Sequence, residues 1–219
     1  MFVGHFGVGL AAKRVAPQAS LGWLIAAPLL LDLLWPIFLL LGWETVRINP
    51  GVTVVTPFEF VSYPISHSLL AAAGWAALAA TTYWLTNPYS RGALVIGACV
   101  VSHWVLDWFV HAPDLPLYPG GPKYGLGLWN SVTATIAVES LCLGAGVWLY
   151  ARSTKPTSRG GRLGWWAFVS FLVVVYAANL LGPPPERVEQ VVLVTLSLWL
   201  MPLWAWSFDR GRVVVVAPE

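Results

Sequence analysis

Charge is what this sequence has least of. Lys, Arg, Asp and Glu make up 10% of its 219 residues and hydrophobic side chains 58%, a balance that excludes a soluble domain of this length. The 12 basic and 10 acidic residues leave a net charge of +2. They are mostly confined to loops, so a basic surface for nucleic acid is not supported. Cysteine is nearly absent. Cys99 and Cys142 lie in separate apolar segments without CxxC spacing, which implies no disulfide framework and reads as two buried small apolar residues. No cleavable signal is evident, because the basic pair Lys13-Arg14 follows the first apolar stretch instead of preceding it. There is no internal repeat and no separate soluble domain, so the chain reads as one integral-membrane domain over residues 1–219.

What fills the sequence is long apolar runs. Six stretches, near 20–42, 61–86, 91–112, 129–151, 163–182 and 189–207, are long enough to cross about 30 Å of hydrocarbon. Many of the 14 tryptophans stand near their ends, as an interfacial belt requires. Proline, glycine and asparagine punctuate between them at Asn49-Pro50-Gly51, Asn87-Pro88, Pro113 to Pro122, Pro156 to Gly164 and Pro183-Pro184-Pro185, the residues that break elements. The expected fold is an all-α polytopic bundle. Placing the N-terminus in the cytoplasm puts Lys13, Arg14, Arg91, Arg152, Lys155, Arg159, Arg162, Arg210 and Arg212 inside and only Arg47, Lys123 and Arg187 outside. This positive-inside bias predicts a bacterial-type inner-membrane protein with both termini cytoplasmic. The apolar tail after Arg212 is too short to span. Met1 to Ala12 is also too short, and predicts either a helix lying flat on the inner surface or a half-helix entering the bundle.

Against this background the embedded ionisable groups stand out. All four histidines, His5, His67, His103 and His111, lie in or beside apolar runs, and so do Asp32, Asp107 and Glu139. Such groups are costly in a membrane and are usually partnered and functional. His103, Asp107 and His111 are spaced i, i+4, i+8, which advances about 40° per step and keeps all three on one helical stripe. Imidazole and carboxylate together suit a divalent metal such as zinc. A rise of about 1.5 Å per residue puts Asp32 and His103 at about 18 Å above the inner edge and Asp107 at about 24 Å. It puts His67 about 9 Å and Glu139 about 15 Å below the outer edge. His111 falls near the outer boundary. His5 reaches this slab only if the N-terminal stretch is a half-helix. Ser66, Ser68, Asn130, Ser131, Tyr176 and Asn179 are candidates for fixing histidine tautomers. The blander reading of each is a polar side chain that joins two helices.

Gly4-His5-Phe6-Gly7, Leu31-Asp32-Leu33, Ser66-His67-Ser68-Leu69 and His103-Trp104-Val105-Leu106-Asp107, in that order, resemble the membrane-bound metal-dependent hydrolase family over roughly the first 140 residues. That family looks distantly like zinc-dependent phospholipase C. The resemblance implies a metal site drawn from His5, Asp32, His67, His103, Asp107 and His111, with Glu139 beside it. Thr135 stands where the analogy calls for a second histidine four residues before Glu139.

The leading expectation is therefore a zinc-dependent hydrolase acting on a lipid phosphoester or ester at the outer half of the bilayer. Zinc brings the pKa of a bound water toward about 7, and Asp32 or Glu139 serves as general base. Arg47 and Lys123 steer an anionic headgroup. The alternatives are an ion or proton-coupled transporter, which embedded Asp, Glu and His also build, and a non-catalytic structural membrane protein. The sequence leaves the oligomeric state open.

Overall fold

A computed structural model describes residues 1–215 and is a bundle of helices joined by three short two-stranded ribbons. Six helical segments are long and apolar enough to cross a membrane. They are α2 (Leu21–Leu40), α4 (Leu69–Thr86), α5 (Ser90–Val110), α6 (Val132–Ser153), α7 (Arg159–Leu181) and the pair α8 (Val188–Ser197) and α9 (Leu200–Asp209). Consecutive crossings run in opposite directions. One end of the bundle carries Lys13 and Asp209, and the other carries Glu44 and the site described below.

The N-terminal stretch takes the half-helix alternative. α1 (Val3–Val15) buries His5, Phe6, Leu10 and Lys13 and packs chiefly against α6, then α2. Its 13 residues cover about 20 Å, short of a full crossing. Glycine makes the approach possible. A Cβ on Gly7 would come within 2.2 Å of the Cys142 carbonyl oxygen, and one on Gly146 within 2.1 Å of the Gly7 carbonyl oxygen. Small residues at a helix contact let two backbones meet this closely.

Several expected boundaries shift. The second crossing begins at Leu69, not at residue 61. Phe58–Ser62 is a strand, β2, paired antiparallel with β1 (Thr45–Ile48), and Pro64–His67 is a single short turn, α3. Ser68 is extended there (φ −77°, ψ 148°), accepting from the Ala71 amide at 3.1 Å and donating to the Pro64 carbonyl at 2.7 Å. This capping separates α3 from α4. His67 thus ends a turn rather than sitting inside a crossing. The third crossing stops at Val110. His111 is its extended C-cap (φ −63°, ψ 148°), and the helix cannot readily continue past it because Pro113 disfavours helical backbone at Ala112. The fourth begins at Val132 after a 3-10 turn at Leu128–Asn130. The sixth, expected as continuous over 189–207, is interrupted at Leu198-Trp199, where Pro202 lacks the N–H that the Leu198 carbonyl would accept. The stretches read as plain loops also hold β3 (Leu115–Pro116) with β4 (Lys123–Tyr124), and β5 (Thr154–Pro156) with β6 (Arg212–Val214). The last of these uses the start of the apolar tail, and residues 216–219 of that tail lie outside the described residues.

A closed polar knot ties the Lys13 end. Lys13 Nζ donates to Asp209 Oδ2 at 2.8 Å and to the Ala19 carbonyl at 2.9 Å. The same Asp209 oxygen accepts from the Leu21 amide at 3.0 Å, and Oδ1 accepts from the Tyr150 hydroxyl at 2.7 Å. Four helices meet on one carboxylate whose side chain is 9% exposed. Removing one partner of a buried pair costs more than removing both. Asp209→Ala should lower stability in detergent by about 3 kcal/mol, and Lys13→Met with Asp209→Leu should recover most of it. Thermal unfolding of the three proteins checks this, and a single mutant as stable as wild type contradicts it.

Candidate metal centre

Asp107 is the hub. It projects from the last turn of α5, 2% exposed, and its two oxygens face different groups. Oδ1 accepts from the Met1 amino group and lies 3.1 Å from His5 Nε2. Oδ2 faces three imidazoles through their Nε2 atoms, His103 at 3.0 Å, His111 at 3.7 Å and His67 at 3.9 Å. Asp32 Oδ1, from the middle of α2, comes within 3.5 Å of His67 Nε2 and 3.8 Å of His103 Nε2. His5 lies flat on His103, with ring centroids 3.9 Å apart and planes 4° from parallel. The six residues expected to hold a metal are therefore together, contributed by α1, α2, α3 and α5. The half-helix is what brings His5 there. The stripe of the third crossing persists through His111 even though the helix has ended, because the His111 amide still donates to the Asp107 carbonyl at 2.8 Å.

The outward nitrogens explain why the inward ones are bare. His103 Nδ1–H donates to the Pro28 carbonyl at 2.7 Å. His111 Nδ1–H donates to Asp114 Oδ1 at 2.9 Å, and the Tyr63 hydroxyl donates to the same oxygen at 2.7 Å. Burial pushes the Tyr63 phenol up, so it stays a donor, and burial pushes His111 down, toward neutral imidazole. His67 Nδ1 lies 2.6 Å from Ser66 Oγ, which lies 2.6 Å from Glu44 Oε2. A hydroxyl has one proton. The Glu44 carboxylate takes it, so Ser66 accepts from His67 Nδ1–H. In all three rings Nδ1 carries the proton, and the Nε2 lone pair faces carboxylate oxygen. His5 is reversed, with Nε2 toward Asp107 and Nδ1 buried without a partner.

Acceptor against acceptor at 3.0 Å, as between His103 Nε2 and Asp107 Oδ2, is repulsive unless a proton or a cation lies between them. His103 Nε2 is buried and has no hydrogen-bond donor. The donor atoms of His5, His103 and Asp107 lie within 4.8 Å of one another, and so do those of Asp32, His67 and His103. Imidazole nitrogen with carboxylate oxygen is the set that zinc takes, and histidines anchored through the other nitrogen are how such ligands are oriented. The residues fit the metal that the sequence pattern implies.

Glu139 stands apart from the imidazoles. Its carboxylate accepts from the Phe2 amide at 2.9 Å and the Gly4 amide at 3.0 Å, capping the N-terminus of α1, where a negative charge is favoured. Of the serines, asparagines and tyrosine considered as tautomer partners, only Ser66 bonds a histidine among the described residues. Ser68 and Ser131 cap α4 and α6 instead, and Thr135 donates to the Leu128 carbonyl. Sequence reasoning missed Glu44, Tyr63 and Asp114. Only Asp114 left a signal, its i+3 spacing from His111.

Residues 1–182 match the model of the YdjM inner membrane protein family. The chain belongs to this family. No curated protein and no solved structure matches it. Every residue of the YdjM-type chain that lines the centre falls inside the matched stretch, and α8 and α9 lie beyond it. Membership and the six apolar crossings make the protein an integral protein of the inner membrane. The family description gives a location and no reaction.

The arrangement makes a direct prediction. Long-range 15N–1H spectra of histidine-labelled protein at neutral pH should show His67, His103 and His111 protonated at Nδ1. Ser66→Ala should disturb His67 alone. Protonation at Nε2 in these rings would contradict the geometry.

Proposed function

We propose that this protein is a metal-dependent hydrolase, with zinc the fitting ion, acting on a lipid phosphoester or ester. One observation carries the reading: three imidazole lone pairs and two carboxylates converge while each of those rings is anchored through its other nitrogen. A structural cluster needs no such division of each ring into an anchored face and a bare face. Zinc, when bound, supplies Lewis acidity that makes water a usable acid near neutral pH.

The chain's own residues divide the remaining tasks. His67, His103, His111 and Asp107 present fixed donor atoms, and His5 stacks over His103 and holds its plane. Asp32 is the member with access: a quarter of its side chain is exposed, against 4% or less for the imidazoles. It is the group suited to take a proton from an entering water. Glu139, the other carboxylate expected as a base, already accepts backbone amides, which favours Asp32. Arg47 on β1 and Lys123 on β4 stand at the same end of the bundle, where they suit an anionic headgroup. The excess of Lys and Arg at the opposite end supports placing the centre in the outer half of the membrane with both termini cytoplasmic.

A cation pathway would need bare polar groups through the other half of the bundle. The buried ions at that end, Lys13 and Asp209, are paired with each other.

Metal analysis of the purified protein tests the reading. Wild type should carry stoichiometric zinc, and His103→Ala and Asp107→Ala should lose it. Ser66→Ala should weaken zinc affinity about 10- to 100-fold, since it frees the His67 ring. A wild type that binds no divalent metal rules the proposal out.

A further inference from the structure

Trp35 is buried, and its indole N–H has no acceptor. Other indoles of the bundle find one: Trp75 donates to the Ile65 carbonyl at 2.8 Å, Trp199 to Leu33 at 3.0 Å and Trp104 to Pro116 at 3.3 Å. A buried tryptophan N–H usually has a partner, and an indole nitrogen only donates. Trp35 Nε1–H is thus a buried donor to which the chain itself, among the described residues, offers no acceptor. Trp35 is three residues beyond Asp32 on α2, on the same helical face. Its ring stands edge-on to His67, with centroids 6.3 Å apart and planes at 80°, and is held on another side by Phe60 at 5.7 Å. The ring that carries the unpaired donor thus packs against His67 of the candidate centre, one turn along α2 from Asp32, the one member of the cluster with substantial exposure.

We propose that Trp35 Nε1–H is a substrate-binding donor of this centre and that the acceptor it awaits is an oxygen of a phosphoryl group. This rests on the hydrolase reading above and narrows it. A phosphoryl group presents oxygens in several directions at once. One can lie among the donor atoms of His67, His103 and Asp32 while another meets the indole. A carboxylic ester presents one strong acceptor, its carbonyl oxygen, beside a weakly basic alkoxy oxygen, and so meets the two needs less well.

The test compares wild type with Trp35→Phe, which keeps an aromatic ring and removes the N–H. Both are loaded with zinc and titrated with inorganic phosphate by calorimetry, and separately with nanodiscs containing phosphatidic acid. Wild type should bind the phosphoryl group, and Trp35→Phe should bind it about tenfold more weakly with zinc content unchanged. Competition by phosphatidic acid identifies a lipid headgroup as the source, and binding of free phosphate alone identifies a soluble one. If Trp35→Phe does not fold, benzothienylalanine at position 35, which replaces only the N–H by sulfur, takes its place. Equal phosphate affinity in wild type and variant overturns the inference, as does a zinc-loaded wild type that ignores both ligands. A wild type that takes up no zinc overturns the hydrolase reading and this one with it.

Discussion

His103 Nε2 and Asp107 Oδ2 lie 3.0 Å apart, both as acceptors, in a part of the bundle where water is nearly absent. In bulk solvent such a contact would be screened. Here the repulsion is unrelieved unless positive charge is shared between the two atoms. Everything else at this end of the bundle supports that contact. The Pro28 carbonyl, Asp114 and the Glu44–Ser66 pair each take the outer proton of one ring. Asp32 adds a second carboxylate. A cluster whose only task was to glue helices would satisfy its lone pairs with donors; here Asp107 Oδ1 has the Met1 amino group, while the His67, His103 and His111 rings turn their donors outward and leave Oδ2 facing lone pairs.

The anchors of His67 and His111 come from parts of the chain that are not membrane crossings, while the Pro28 carbonyl that anchors His103 lies within α2. Glu44 stands just before β1, Ser66 lies in the turn α3 after β2, and Asp114 precedes β3. The ribbons thus serve as a scaffold for the outward nitrogens, while α2 and α5 supply the inward oxygens. Aromatic packing holds the junction: His111 packs against Trp129, at a centroid distance of 4.2 Å, and against Phe60, at 4.8 Å. Ring orientation is fixed by hydrogen bond on one edge and by packing on the faces, which is what a pre-formed ligand set requires.

The membrane crossings and the embedded ionisable groups were legible because apolar sequence makes both stand out. Asp32 amid leucines, or His103 and Asp107 one turn apart, has few ordinary explanations. Glu44 and Asp114 were not legible for the opposite reason: a carboxylate in a polar connection is unremarkable, and only the ribbon's return brings it to a histidine. His67 was read into a crossing because residues 61–68 hold no Asp, Glu, Lys or Arg that would end one. Pro64 and the Ser68 cap break it, and they turn the imidazole inward at a level that counting residues along a helix does not give. The two alternatives for Met1 to Ala12 were equal in sequence terms. What decides between them is a contact between Gly7 and Gly146, 139 residues apart, that composition alone does not reveal.

The half-helix also shows how the two ends of the bundle are linked. α1 carries Lys13 near one end and His5 near the other, separated by about 12 Å of helix. Lys13 is pinned to Asp209, and the amides of Phe2 and Gly4 are pinned to Glu139. Sliding α1 by one residue would unpair a buried ammonium at one end and a buried carboxylate at the other, both costly in a low-dielectric interior. The contact of Gly7 with Gly146 blocks rotation, since any other face would press a side chain into backbone. α1 is thus locked in depth and in rotation, and His5 is held flat against His103 without being bonded to it. The Lys13 knot therefore acts on the centre at a distance, by fixing the register of a helix that does not itself cross the membrane.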